Sequence, residues 1–197
     1  MKSKSESAAL GFRVKSGWTA AILLAGPIRL PRLCDIRVID LSDPKIPATR
    51  QPYHAAMGEL EINAAKLRSR LQIVRCVTKQ SVAKIVSDYR RDGHEIRVAG
   101  FVVGSQIDPA LIANPHIRAH ALEGQLFRTA LADALCAHQI VCVVLSEREA
   151  LAKTETLLKK SPAKLESVIN EMKRTTRGPW RAEQKLAIIA AWFALAS

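Results

Sequence analysis

The sequence predicts an α/β protein with a single mixed sheet, and three observations carry this prediction. Strand-like segments joined by short turns come first, a long segment with helical periodicity follows, and two apolar strands then alternate with helices. The chain has 197 residues, of which 48% are hydrophobic, so it can bury a core of its own. The expected order is β-β-β-α-β-α-β-α, with extra helices at the C-terminal end.

Three strands open the chain as an antiparallel meander. Residues 10–15 form the first strand, a turn at Ser16-Gly17 leads into an apolar second strand over residues 18–24, and Gly26-Pro27 ends it. Residues 33–41 alternate apolar with polar side chains, which is typical of a strand with one buried face. Because short loops join these segments, each strand is expected to pair with the next.

A long helix is predicted over residues 53–91, where apolar residues recur three and four positions apart. A straight helix of this length would measure about 60 Å, so we expect a bend or break near residues 78–81. Gly93 then suits the left-handed conformation that commonly ends a helix.

Two nearly continuous apolar segments, residues 98–103 and 140–145, predict strands buried within the sheet. Between them, Asp108-Pro109 and Asn114-Pro115 mark helix starts, and one helix is predicted over residues 116–137. Right-handed crossovers place both strands beside the first one. A meander followed by two such strands is the order of elements in the ribonuclease H-like fold, whereas the G-x-G-x-x-G motif of a Rossmann fold is absent.

We divide the chain into a disordered tail over residues 1–7, a ribonuclease H-like domain over residues 8–158, and a helical extension over residues 159–197 that packs on it. The apolar C-terminal segment LAIIAAWFALAS is too short to span a membrane. It predicts a buried helix, with a docking face for a protein partner as the alternative. Scattered cysteines without a C-x-x-C pair, and a polar start unlike a signal peptide, favour a reduced, cytoplasmic protein.

Three stretches resemble ribonuclease H-like nucleases of the YqgF type, a Holliday-junction resolvase-like family. LGFRVKSGWTAAILLAG is similar to the opening hairpin of that family, VAGFVVGSQID to its fourth strand, and VCVVLSEREALAKTETLL to its fifth strand and following helix. The resemblance covers roughly residues 8–158. It implies the same fold, nucleic acid as the partner, and a nuclease site in which clustered carboxylates hold Mg²⁺.

The carboxylates of that family are missing at the matching positions. The aspartate of its first strand falls at Arg13, and the aspartate of its D-E-R motif falls at Ser146. We expect Arg13 to be the second or third residue of the first strand and to lie beside the fourth strand. A guanidinium repels a divalent metal and suits a phosphate. The replacement of both aspartates, by Arg13 and Ser146, implies a protein that binds nucleic acid without cutting it. If the register of the match is shifted, Arg13 is instead a surface arginine on an edge strand.

Other carboxylates could rebuild a Mg²⁺ site, which gives a nuclease as the alternative function. The candidates are Asp108, Glu123 and Glu147. Asp108 and Glu147 follow neighbouring strands, at the sheet edge where ligands of α/β proteins collect. Each is equally explained as a helix cap or as an acid in the first turn of a helix. Outside this alternative, no metal or cofactor is expected.

His116, His120 and Glu123 share one face of the helix predicted over residues 116–137. Two histidines four residues apart can bind zinc, but Ile117 replaces the glutamate of an H-E-x-x-H motif and Arg118 lies nearby. We therefore predict a polar cluster of His116, Arg118 and His120 that faces a phosphate, a partner or solvent. His54 opens the predicted long helix, where capping is the common explanation.

The net charge of +12 favours a polyanionic partner, DNA or RNA. The excess lies in the first 100 residues and in residues 151–197. If the long helix and the C-terminal helices form one basic face, the protein should bind duplex or structured nucleic acid weakly and without strong sequence preference. Because only 5% of the residues are aromatic, contact with the sugar–phosphate backbone is favoured over base stacking. The candidate nucleic-acid-binding residues are Arg13, Lys15, Arg68, Arg75, Lys79, Arg148, Arg174, Arg177 and Arg181.

Overall fold

A five-stranded mixed sheet organises the computed structural model, which describes residues 6–55, 59–104, 106–174, 176 and 180–197. The sheet has the order β3-β2-β1-β4-β5, in which β1, β2 and β3 form an antiparallel meander and β4 and β5 run parallel to β1. The strands are β1 (Glu6–Lys15), β2 (Trp18–Ala25), β3 (Arg32–Asp40), β4 (His94–Val103) and β5 (Val141–Ser146). This topology confirms the predicted fold class.

Five α-helices cover the two faces of the sheet. They are α1 (Ala64–Arg91), α2 (Pro115–Cys136), α3 (Ala150–Leu158), α4 (Pro162–Arg174) and α5 (Ala182–Ala196). On the first face, α1 and α2 pack on strand residues such as Leu10 and Phe12. On the second face, α3, α4 and α5 pack on residues such as Ile22 and Val102. Apolar side chains therefore point from the central strands to both faces, as expected for parallel strands covered by helices.

Glycines allow α5 to lie directly on the two central strands. A Cβ atom on Gly11 of β1 would overlap the carbonyl oxygen of Ala187, and one on Gly100 of β4 would overlap that of Ala190. The close approach leaves Trp192 of α5 wholly buried, with its Nε1–H donating to the carbonyl oxygen of Ile28 at 2.7 Å. Since the apolar face of α5 lies against the sheet, this helix does not present the exposed docking stripe considered from the sequence.

The predicted break in the long helix is wrong. Helix α1 runs without interruption, and Thr78 at the expected break is fully buried, with its Oγ1 donating to the carbonyl oxygen of Leu41 at 3.3 Å. The helix begins at Ala64 rather than near residue 53, because the Asn63 side chain accepts hydrogen bonds from the first-turn N–H groups of Ala65 and Lys66. The described residues 51–55 and 59–63 therefore lie before the helix rather than within it.

Among the other predicted boundaries, β1 and β4 each begin four residues earlier than expected, at Glu6 and His94. Asp108 and Asn114 cap helices as expected, accepting from the N–H groups of Ala110 and Ile117. Strand β1 begins at Glu6, inside the tail predicted over residues 1–7, and residues 1–5 lie outside the described residues. Strand β5 is not buried on both faces, because it lies at the edge of the sheet and exposes Val141 and Val144. Within the described residues, no helix is both long and apolar enough to cross a membrane.

Candidate functional site at the ends of the parallel strands

A cleft of about 370 Å³ lies where β1 and β4 end and α2 passes above them. Its polar lining includes Arg13 and Lys15 from β1 and His120 and Arg128 from α2, while Gly104 forms part of its floor at the end of β4. Because ligands of α/β sheets bind beyond the carboxyl ends of the parallel strands, this cleft is the candidate ligand-binding site.

Arg13 is a buried cation held by hydrogen bonds. Its Nη2 donates to Glu147 Oε2 at 2.5 Å, and its Nη1 donates to the carbonyl oxygens of Val14 at 3.1 Å and Val102 at 3.4 Å. The residue is 7% exposed and stands opposite Val102 of β4, near the end of β1. The prediction that Arg13 lies beside the fourth strand is confirmed. Its predicted position as the second or third residue of the first strand is wrong, because Arg13 lies near the end of β1. The alternative of a surface arginine on an edge strand is also wrong, because the residue is buried in a central strand.

Glu147 and Ser146 close strand β5. The N–H of Glu147 donates to the carbonyl oxygen of Val103 at 2.9 Å, which extends the β4–β5 pairing and holds the half-exposed carboxylate beside Arg13. Ser146, where the resembling family has an aspartate, donates its hydroxyl to Glu149 Oε2 at 2.8 Å. That hydrogen bond, together with Lys153, lowers the pKa of Glu149. Helix α3 starts only at Ala150, so Glu147 is not the first-turn acid considered from the sequence.

The three candidate carboxylates do not converge on one metal site. Asp108 caps the short 3₁₀ helix Pro109–Leu111, Glu123 is fully buried within α2 and bonds to His54, and Glu147 is paired with Arg13. The Mg²⁺ centre implied by the resemblance does not fit these residues, because a guanidinium stands at the strand end where the cation would be held. Among the described residues, the cluster suited to a metal consists of three histidines instead.

The histidine cluster, formed by His54, His116, His120 and Glu123, lies at the rim of the cleft. Glu123 Oε1 is 2.8 Å from His54 Nδ1, and His54 Nε2 is 3.2 Å from His116 Nδ1. His116 Nε2 is 3.3 Å from His120 Nε2, and His120 Nδ1 is 3.5 Å from Glu123 Oε2. Burial raises the pKa of Glu123, and burial with the two neighbouring histidines lowers the pKa of His120.

The residues that form the polar cluster in the structure differ from those predicted from the sequence. Arg118 does not join the histidines, because its Nε donates at 2.7 Å to the carbonyl oxygen of Ile112 in the segment before α2. His54 joins them from the segment before α1, so its role is not helix capping. Arg128 of the cleft was also missed, although His120, Gly124 and Arg128 recur every four residues on one face of α2.

The basic residues form separate surfaces rather than one face. Arg68, Arg75 and Lys79 are exposed along one side of α1, over the first face of the sheet. Arg174 and Arg181 are exposed on and beside α4 and α5, over the second face, so these residues do not form one basic face with those of α1. Arg148 is exposed after β5, Lys15 pairs with Glu183 at 3.6 Å, and Arg177 lies outside the described residues.

Comparisons with known proteins establish the fold. No protein-family profile matches the sequence, and no curated protein matches it. The chain is similar to Thermus thermophilus RuvC in complex with Holliday junction substrate, with 11% identity over 95% of this chain and 91% of that chain and a TM-score of 0.55. A second T. thermophilus RuvC structure gives 11% identity over 94% and 92%, also with a TM-score of 0.55. The yeast mitochondrial Holliday junction resolvase Ydc2 gives 8% identity over 96% and 79%, with a TM-score of 0.48. The chain thus has the ribonuclease H-like fold.

Proposed function

We propose that the protein binds nucleic acid through its sugar–phosphate backbone and does not cleave it. The observation that carries this proposal is the ion pair between Arg13 and Glu147 at the ends of β1 and β5. Nucleases that use Mg²⁺ need carboxylate oxygens to hold the ion, which then activates water and stabilises the leaving oxygen. Here one carboxylate is neutralised by a guanidinium, and the remaining candidates lie elsewhere.

The cleft itself suits an anion. Lys15, Arg128 and His120 line it together with Arg13, and no acidic side chain is among its described lining residues. Arginine can bind a phosphate through two parallel N–H groups, so the exposed part of Arg128 is the natural first contact. The net charge of +12 and the shared fold with RuvC, which is bound to a Holliday junction in one structure, support nucleic acid as that anion.

The α1 stripe, formed by Arg68, Arg75 and Lys79, offers a second contact surface. These residues lie within about 16 Å along the helix, at 1.5 Å per residue. That span covers several phosphates of a duplex, in which one strand carries a phosphate every 3.4 Å of axis. Since charged side chains can bind phosphates without reading bases, we expect weak sequence preference.

Fluorescence anisotropy with a labelled duplex and a four-way DNA junction, repeated with structured RNA, tests the proposal. Non-specific complexes have dissociation constants of about 10⁻⁴–10⁻⁶ M at physiological salt, and the logarithm of the affinity should fall steeply with that of the salt concentration. Each phosphate contact that is removed should flatten this slope by about one unit. Three variants each remove positive charge from one surface. The double variant Lys15→Gln/Arg128→Gln tests the cleft, and a triple Gln variant tests the α1 stripe. The double variant Arg174→Gln/Arg181→Gln tests the surface at the end of α4 and the start of α5.

Arg97→Gln is the matched control, because Arg97 is exposed in the first half of β4, away from the strand ends, and pairs with Glu95. The proposal expects a flatter slope in the cleft variant and in the α1 variant and an unchanged slope in the control. A slope near zero in the wild-type protein would remove nucleic acid as the partner and favour a protein-interaction domain.

A further inference from the structure

Three imidazoles converge with the spacing of metal ligands. The two closest nitrogen pairs, His54 Nε2 with His116 Nδ1 and His116 Nε2 with His120 Nε2, are 3.2 and 3.3 Å apart. Each ring gives one nitrogen to a metal, so only one of these two distances belongs to any one ligand set. In a tetrahedral zinc site with Zn–N bonds of about 2.0–2.1 Å, ligand nitrogens lie about 3.3–3.4 Å from one another. One nitrogen from each ring can be chosen so that all three lie within 4.8 Å of one another, and a bound metal would require the rings to rotate towards a common centre.

The buried carboxylate of Glu123 contacts two of these rings, those of His54 and His120. Its Oε1 accepts from His54 Nδ1, and its fully buried Oε2, which has no hydrogen-bond partner, is 3.5 Å from His120 Nδ1. A proton on Nδ1 of both rings leaves both Nε2 lone pairs free to bind a cation. A carboxylate behind a ligating histidine is the usual outer partner in zinc sites, since it sets the tautomer and raises the basicity of the ligand.

The number of N–H protons in the histidine cluster also favours a cation among the three rings. Three contacts of the cluster are hydrogen bonds, each with one proton between its two atoms, and the fourth, between His120 Nδ1 and Glu123 Oε2, is a longer approach without a hydrogen bond. Three neutral imidazoles carry three N–H protons, which these three hydrogen bonds use, so none remains for the buried Oε2 of Glu123. A metal that binds Nε2 of His54, Nε2 of His120 and one ring nitrogen of His116 replaces the two histidine–histidine contacts, and the Nδ1 protons of His54 and His120 then face the two oxygens of Glu123.

The segment that carries His54 is fixed before any metal binds. Arg70 of α1 donates through Nη1 to the carbonyl oxygens of Pro52 and His54, both at 3.0 Å, and pairs through Nη2 with Glu61 at 3.0 Å. His54 also forms a β-bridge with Leu60. His116 and His120 are held four residues apart by α2, so a metal would join two preformed elements at little cost in chain entropy.

We propose that His54, His116 and His120 bind a zinc ion at the rim of the strand-end cleft, with Glu123 as the carboxylate that orients His54 and His120. A ligand set made only of imidazoles suits Zn²⁺ and related transition metals and excludes Mg²⁺, which requires oxygen. His116 and His120 are exposed, so the fourth coordination position faces solvent and takes water or an anionic oxygen.

Zinc binding by the full-length protein without a histidine tag tests the site directly. Competition with a chromophoric chelator gives the affinity and the stoichiometry, and Co²⁺ in place of Zn²⁺ reports the ligands by its visible spectrum. We expect one Zn²⁺ per chain. His116→Ala or His120→Ala should weaken binding more than Glu123→Gln, for which loss of an outer partner predicts about a 10–100-fold decrease. Both histidines are exposed, so these variants should fold even if Glu123→Gln does not.

Two controls make the result decisive. His138→Ala removes a histidine just after α2 that is outside the cluster, and it should leave the affinity unchanged. Cys76→Ser with Cys136→Ser removes the exposed thiols, and it should leave the cobalt spectrum unchanged. Equal zinc affinity in the wild-type, His116→Ala and His120→Ala proteins, or a thiolate–cobalt spectrum lost with the two cysteines, would overturn the proposal. The measurement uses no nucleic acid, so its outcome is independent of the proposed binding function.

Discussion

Removing Glu147 should destabilise the protein more than removing Arg13, although the two side chains form one ion pair. The reason is unequal burial: the Arg13 side chain is 8% exposed and that of Glu147 is 50% exposed. Glu147→Gln leaves a buried guanidinium without a counter-charge. Loss of one partner from a fully buried pair costs about 3–5 kcal/mol, and the partial exposure of this pair lowers our expectation to about 2–3 kcal/mol.

Arg13→Met leaves a carboxylate that water can reach. The expected cost is about 1 kcal/mol, since a half-exposed pair contributes little and the methionine fills most of the volume while the bonds to Val14 and Val102 are lost. Urea denaturation of both variants measures the difference. In a protein of this size, 2–3 kcal/mol corresponds to a decrease in Tm of about 4–12 °C. Equal costs for the two variants, or a larger cost for Arg13→Met, would refute the buried-cation reasoning.

Three further predictions concern the stability of the fold that supports the site. Gly11→Ala should cost about 1–3 kcal/mol or more in urea denaturation, because the new methyl group forces α5 away from the sheet, whereas Gly104→Ala, with no atom within 4 Å of its Cβ, should change stability little. Arg37 lowers the pKa of Asp88 from 3.8 to about 2, so the stability advantage of the wild-type protein over Asp88→Asn should be full above about pH 4 and shrink as the pH falls towards 2. Trp192→Ala should cost about 3–5 kcal/mol, seen as a lower midpoint in circular dichroism melts, because the indole is wholly buried.

The strand order was predictable because the handedness of crossovers leaves few arrangements. A meander followed by two right-handed crossovers must place β4 and β5 on the free side of β1, which the structure confirms. The exposure of β5 was not predictable from its composition. Its valines predict burial, but α5 lies mainly over β1, β2 and β4, so Val141 on the second face is left exposed. Val144 points to the first face, beside Phe101, and is exposed there because β5 is the edge strand.

The local parts of the site were predictable, and their long-range partners were not. The helical period correctly places His116, His120 and Glu123 on one side of α2. His54 lies 62 residues before His116, and only the folded segment before α1 brings them together. Likewise, the match to the resolvase-like family identified Arg13 as unusual, but its pairing with Glu147, 134 residues away, depends on the sheet.

Cleavage and binding measured in the same reaction show whether the protein binds nucleic acid without cutting it. A labelled four-way junction, a duplex and a structured RNA are incubated with the protein in Mg²⁺ or Mn²⁺ at concentrations that anisotropy shows to be saturating, and the products are separated on a denaturing gel. The ion pair of Arg13 with Glu147 predicts full, salt-sensitive binding and intact strands. Metal-dependent cleavage that disappears in Glu147→Gln or Asp108→Asn would contradict the account and identify the protein as a nuclease with displaced carboxylates.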